Sequence, residues 1–74
     1  MQNSLSPALL HYDASDFDIL RPGSYVLCAV TGQRIELEDL LYWSAEHQEA
    51  YVNAEASVRA YQAGGAAKLR EQKS

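Results

Sequence analysis

One cysteine, Cys28, in a chain of 74 residues narrows the ways this protein can hold itself together. Domains this short bury a small share of their surface, and many are stapled by disulfides or by a metal on four Cys or His side chains. A lone thiol supplies neither an internal disulfide nor a cysteine cage. The fold must therefore rest on packing, and residues of the AVILMFWYC set make up 47% of the chain, enough to avoid wholesale disorder. The same length excludes two folded units, a large active-site cleft or a dinucleotide-binding domain. Missing disulfides fit a reducing compartment.

Charge narrows the partners. Ten acids against six basic residues give a net charge of −4, and an acidic surface repels phosphate backbones, so nucleic acid is not expected as a partner. Residues 1–55 carry nine acids against Arg21 and Arg34, a balance of −7. Residues 56–74 carry Arg59, Lys68, Arg70 and Lys73 against Glu71, a balance of +3. The expectation is an acidic body with a basic C-terminal tail. The longest apolar run, Tyr25 to Val30, falls far short of the ~20 residues a membrane helix needs, and Met1 to Pro7 has neither a basic nor an apolar leader segment. A cytoplasmic protein with no membrane contact is expected.

Turn residues divide the chain. Residues 1–8 read as a flexible arm, 9–62 as one small domain and 63–74 as a flexible basic tail. Phe17 and Ile19 alternate with acids as on a half-buried first strand. Arg21-Pro22-Gly23-Ser24 reads as a type II reversal with Gly23 at the positive-φ position. Tyr25 to Val30 and Arg34 to Leu37 flank Thr31-Gly32-Gln33 as a hairpin. Beyond Ser44 two readings stand. In one, a long helix is capped by Ser44 and carries Tyr51, Ala54, Val58 and Tyr61 on one stripe. In the other, Leu41–Ser44 and Gln48–Val52 are strands joined by a turn, and a shorter helix starts at Asn53 with Glu55 in its first turn. Gly64-Gly65 ends the helix in both. The fold class is α+β: small antiparallel hairpins followed by one C-terminal helix.

Chemistry has few candidates. A Cys28–His47 nucleophile would need the imidazole beside a thiol of lowered pKa, whereas a thiol in an apolar run is ordinarily an inert core residue. Asp16 with Asp18 and Glu36 with Glu38 sit as strand-alternating surface pairs, without the burial that acid catalysis requires. No enzyme is expected. Zinc held by Cys28 and His47 with Glu46 or Glu49 is a poorer donor set than four Cys or His. No cofactor is expected, with zinc the alternative. Tyr42 and Trp43 point to opposite faces of a strand, which places Trp43 in the core and Tyr42 partly in solvent. A thin core cannot hide every ring, so Tyr42, Trp43 and Tyr51 are the interface candidates.

The run Cys28-Ala29-Val30-Thr31-Gly32, then Ile35, Leu40 and Tyr51-Val52-Asn53-Ala54, resembles the zinc-finger end of the DksA/TraR transcription-regulator class. The four ligand places fall at Cys28, Thr31, Tyr51 and Ala54, three of which are not ligands. The resemblance implies a metal-free zinc ribbon in which Tyr51 and Ala54 plug the metal position against Cys28, and it favours the shorter helix from Asn53.

Arg21-Pro22-Gly23-Ser24, Cys28-Ala29-Val30-Thr31-Gly32, Tyr42-Trp43-Ser44 and Gln48-Glu49-Ala50-Tyr51 occur together in order. Over about residues 17–62 the chain resembles a small bacterial family known as domain of unknown function 2093. That resemblance implies a short cytoplasmic protein and transfers no catalytic residue. The function expected is a non-catalytic interaction or structural accessory module, binding another protein or itself. The alternative is a zinc-ribbon-derived regulator contacting the transcription machinery.

Overall fold

Three polar breaks, at Asp13–Asp16, Thr31–Gln33 and Ala45–Gln48, each fold a pair of β-prone runs back on itself. The computed structural model describes residues 6–73; most of the expected N-terminal arm and Ser74 of the expected tail lie outside them. Strand β1 (Leu9–Tyr12) pairs with β2 (Phe17–Arg21), β3 (Tyr25–Leu27) with β4 (Arg34–Glu36), and β5 (Tyr42–Ser44) with β6 (Glu49–Tyr51), all antiparallel. A 3-10 turn over Leu37–Asp39 carries the chain from β4 towards β5.

The hairpins are separate two-stranded sheets joined through β3. At its start Pro7 and Ala8 run alongside Tyr25, with the Ala8 amide donating to the Tyr25 carbonyl at 2.7 Å. Just past its end Cys28 bridges to Ala50, and the Ala29 amide donates to the Ala50 carbonyl at 2.8 Å. These links bring Leu10, Val26, Ile35, Cys28, Ala50 and Tyr51 into one buried cluster. Burying them against one another replaces the staple that the lone cysteine cannot form.

Helix α1 (Ala54–Ala63) closes the cluster. Asn53 is its N-cap, its side-chain oxygen accepting from the Ala56 amide at 2.8 Å, and Gly64 ends it at φ 90°. Ala56 and Ala60 form its inward face, one turn apart, and small side chains let the helix approach β5 and β6 closely. Val58 and Tyr61, the stripe of the long-helix reading, point outward instead. The strand, turn and shorter-helix reading is the one the chain adopts.

Four expectations are corrected. Leu9–Tyr12 is a strand in its own right, so Phe17–Arg21 is the second strand. Gly23 does not have a positive φ; a Cβ there would stand 2.4 Å from the Ala8 nitrogen and 2.5 Å from the Pro7 carbonyl carbon, so glycine is needed for close chain approach. The run from Tyr25 to Val30 leaves the strand after Leu27, because Cys28 starts the turn that Gly32 completes at φ 79°.

The fourth concerns the expected flexible tail over 63–74. Ala66–Lys73 forms a second helix, α2, where a single C-terminal helix is expected. Gly64 and Gly65, at φ 90° and 116°, redirect the chain after α1 so that α2 packs back on it. Glu49 Oε2 accepts from the Ala66 amide at 2.9 Å, and Ala66 is 1% exposed. Arg70 donates to the Ala29 carbonyl at 2.9 Å, so a cation assigned to the tail reaches the β3–β4 turn.

Candidate functional site

Trp43 is the residue around which the most exposed aromatic feature is built. Strand alternation on β5 turns its indole towards the first hairpin, where it stacks on Tyr12 at 6.4 Å and meets Phe17 edge-on at 5.4 Å. Its Nε1–H donates to the Asp13 carbonyl at 2.7 Å, anchoring the turn of that hairpin. Tyr42, its neighbour on the strand, points the other way and is 39% exposed. The expected placement of Trp43 in the core is corrected: it is half-buried and packs against the buried cluster from the first-hairpin side.

Beside Trp43 lies a cleft of about 310 Å³ between the β5–β6 turn and α1. Trp43, Glu46, His47, Tyr51 and Tyr61 line it, with Ser57 on the helix side. The His47 amide donates to Ser44 Oγ at 2.9 Å, and its ring sits against the Cα of Gly65, where a Cβ would be 3.2 Å from Nδ1. His47 is thus a wall between hairpin and helix junction. Tyr61 is 81% exposed at the rim. Tyr61 is absent from the interface candidates; the signal present in the sequence was the Ala56–Ala60 spacing, which turns position 61 away from the core.

Tyr51 is not an open interface residue. It is 3% exposed and its hydroxyl donates to Glu49 Oε2 at 2.6 Å, the same oxygen that accepts from Ala66. Burial foremost, and then the Glu49 carboxylate, push the Tyr51 phenol far above its ordinary pKa of 10.0. Glu49 therefore ties β6 to the start of α2 through one carboxylate oxygen.

Cys28 lies on the other side of Tyr51, 2% exposed. The Thr31 amide donates to its sulfur at 3.4 Å. Burial pushes the thiol pKa up, but hydrogen bonds from the Thr31 hydroxyl and from the amides of Thr31, Val52 and Val30 outweigh it and leave the thiol below its ordinary value of 9.0.

Among the described residues, zinc donors are not gathered at the ribbon places. Of the four ribbon places, Cys28, Thr31 and Tyr51 are in one neighbourhood, while Ala54 is exposed at the start of α1 and does not enter the expected plug. Thr31 is exposed and Tyr51 has its hydroxyl on Glu49. A tetrahedral zinc centre needs four N, S or O donors at one point, and this arrangement offers one sulfur. Nor are Cys28 and His47 gathered with Glu46 or Glu49: among the described residues, the three His, Cys, Asp or Glu donors within 4.8 Å of one another are His11, Asp13 and Asp18. All three are exposed, and His11 Nδ1 stands 3.7 Å from Asp13 Oδ1 as a surface pair.

Three hairpins and two short helices around an aromatic cleft define a small α+β domain. Residues 19–60 match the model of the family described as Uncharacterized protein conserved in bacteria (DUF2093), more than half of the chain, and the protein belongs to that family. Neither a curated protein nor a solved structure matches the chain. No helix among the described residues is long and apolar enough to cross a membrane.

Proposed function

We propose that this domain is a non-catalytic binding module that docks on another protein through the aromatic cleft beside Trp43. The observation that carries the reading is Tyr61: a large ring 81% exposed at the rim of a cleft whose other walls are held in place by the core. Aromatic rings set in such clefts are the usual anchors of protein interfaces. Trp43 gives the cleft a rigid floor, because Tyr12, Phe17 and the Asp13 carbonyl fix it. Cys28, 2% exposed, and His47, wedged against Gly65, support a binding role for the cleft over a Cys28–His47 nucleophile.

The test is a photo-crosslinking amino acid placed at Tyr61 and, as a control on the same helix, at Glu55, expressed in a bacterial host that carries the protein. A discrete adduct from position 61 that is absent from position 55 is the expected result, and its mass separates a second copy from a different protein. Equal or absent adducts at both positions would overturn the reading.

A second reading, a zinc-ribbon-derived regulator of the transcription machinery, draws support from the turn that brings the Thr31 amide onto the Cys28 sulfur at 3.4 Å. It requires RNA polymerase in the adduct from position 61.

A further inference from the structure

We infer that the cleft beside Trp43 receives a cationic side chain, arginine or lysine, presented by the partner protein. This rests on the binding-module reading and names the chemistry the cleft selects. Three aromatic residues line it, the half-buried Trp43 indole stacked on Tyr12, the buried Tyr51 and the open Tyr61 ring, and the negative face of an open ring attracts a cation more strongly than a neutral group of the same size. Among the described residues that line it no lysine or arginine appears, and Glu46, exposed at the β5–β6 turn, supplies a carboxylate counter-charge. Beyond the lining, the chain as a whole carries a net charge of −4, the −7 of residues 1–55 outweighing the +3 of residues 56–74 that include most of α1, so the overall field favours a positive group over a negative one.

Size agrees with charge. A cleft of about 310 Å³ is at the low end for small-molecule sites, a size that accommodates one long side chain and its head group. The cleft is also preorganised. Trp43 is stacked and hydrogen-bonded, His47 is held by Ser44 and Gly65, and Tyr51 is locked on Glu49, so only Tyr61 and Glu46 need to adjust when the side chain enters.

Trp43 is the one tryptophan of the chain, which makes its fluorescence a direct reporter of the cleft. The experiment titrates the full-length protein with the capped peptide Gly-Arg-Gly and with its citrulline counterpart, which keeps the shape of arginine and removes the charge. The arginine peptide is expected to change Trp43 emission saturably and to bind about tenfold more tightly than the citrulline peptide, with affinity falling as salt rises. Tyr61→Ala and Glu46→Gln, both at exposed positions, are expected to weaken binding severalfold while leaving the thermal melt in place. Equal binding of the two peptides, no saturable response, or a response untouched by Tyr61→Ala would each overturn the proposal. If the crosslink at position 61 forms while the arginine peptide fails, the docking reading stands and the cationic selectivity falls.

Discussion

The side-chain amide of Gln48 meets both backbone groups of Tyr12: its Oε1 accepts from the Tyr12 amide at 3.0 Å and its Nε2 donates to the Tyr12 carbonyl at 2.7 Å. One side chain thus completes the ladder of β1 as a neighbouring strand would, and joins the first hairpin to the third. Its Nε2 also donates to the Ala45 carbonyl at 2.7 Å, so the turn carrying Gln48 is closed by the same group. Gln48 sits at φ 53°, the left-handed region that a non-glycine residue adopts at a cost.

The position therefore separates two effects. Gln48→Ala is expected to destabilise by about 1–3 kcal/mol, because backbone groups of Tyr12 lose their partner. Gln48→Gly loses the same bonds but relieves the backbone, and is expected to be less destabilising by about 1 kcal/mol. Urea melts of the two variants check this; an alanine variant as stable as the wild type would show that the Gln48–Tyr12 pairing adds nothing.

Gly23 is the next sensitive point. A Cβ at this position would stand 2.4 Å from the Ala8 nitrogen, a distance real side chains do not reach. Gly23→Ala is expected to cost about 2 kcal/mol or more and to displace Pro7 and Ala8 from Tyr25. Gly32→Ala meets open space and strains only a φ of 79°, so about 1 kcal/mol is expected. Amide hydrogen exchange at Ala8, whose N–H bonds the Tyr25 carbonyl, should rise strongly in the first variant and stay near wild type in the second.

Trp43 divides packing from hydrogen bonding. Trp43→Ala removes the ring that stacks on Tyr12 and meets Phe17 edge-on, and roughly 3–5 kcal/mol is expected, enough to unfold a domain of this size. Trp43→Phe retains a ring and loses the bond to the Asp13 carbonyl, for which about 1 kcal/mol is expected. Calorimetric melts that place the two variants together would contradict this division.

Cys28 and Tyr51 shift stability in opposite directions with pH. The Cys28 thiol is lowered from 9.0 in the folded state. Between the folded and unfolded values the unfolded chain binds more protons, so stability rises with pH there and is lost again as pH falls through the folded value. The Tyr51 phenol is raised from 10.0, so its contribution is complete below that value and is lost as pH climbs above it. Tyr12, raised by burial, adds to the same loss. Urea midpoints measured from about pH 7 to 11 should rise towards the thiol range and fall beyond the phenol range. Cys28→Ala is expected to flatten the rise, and Tyr51→Phe to reduce the fall; a Cys28→Ala profile parallel to the wild type would contradict the thiol assignment.

Local chemistry made much of this architecture readable. Asn53, Glu55 and Gly64 frame α1 because capping acts within a turn of the chain. Thr31-Gly32-Gln33 marks the second hairpin because a positive φ at glycine is also a local matter. Leu9–Tyr12 escaped because a four-residue strand has too few alternations to stand out, and its pairing with Phe17–Arg21 is formed across the Asp13–Asp16 turn. Helix α2 escaped for a related reason: its sequence, Ala-Ala-Lys-Leu-Arg-Glu-Gln-Lys, shows no broad apolar stripe, and it is held by Glu49 and by packing on α1.

The candidate site divides along the same line. That Trp43 and Tyr42 face opposite ways follows from strand alternation, and the sequence alone determined it. Which rings remain open is a matter of what each meets across the fold. Tyr51 is buried because it joins the cluster that holds Cys28 and bonds Glu49, and Tyr61 is exposed because Ala56 and Ala60 occupy the inward face of α1. Residue order by itself determined the second hairpin, the caps and the absence of a disulfide or tetrathiolate staple. Tertiary structure alone decided the cleft, the Gln48 clasp and the docking of α2, because each depends on groups distant in the chain whose approach no local pattern encodes.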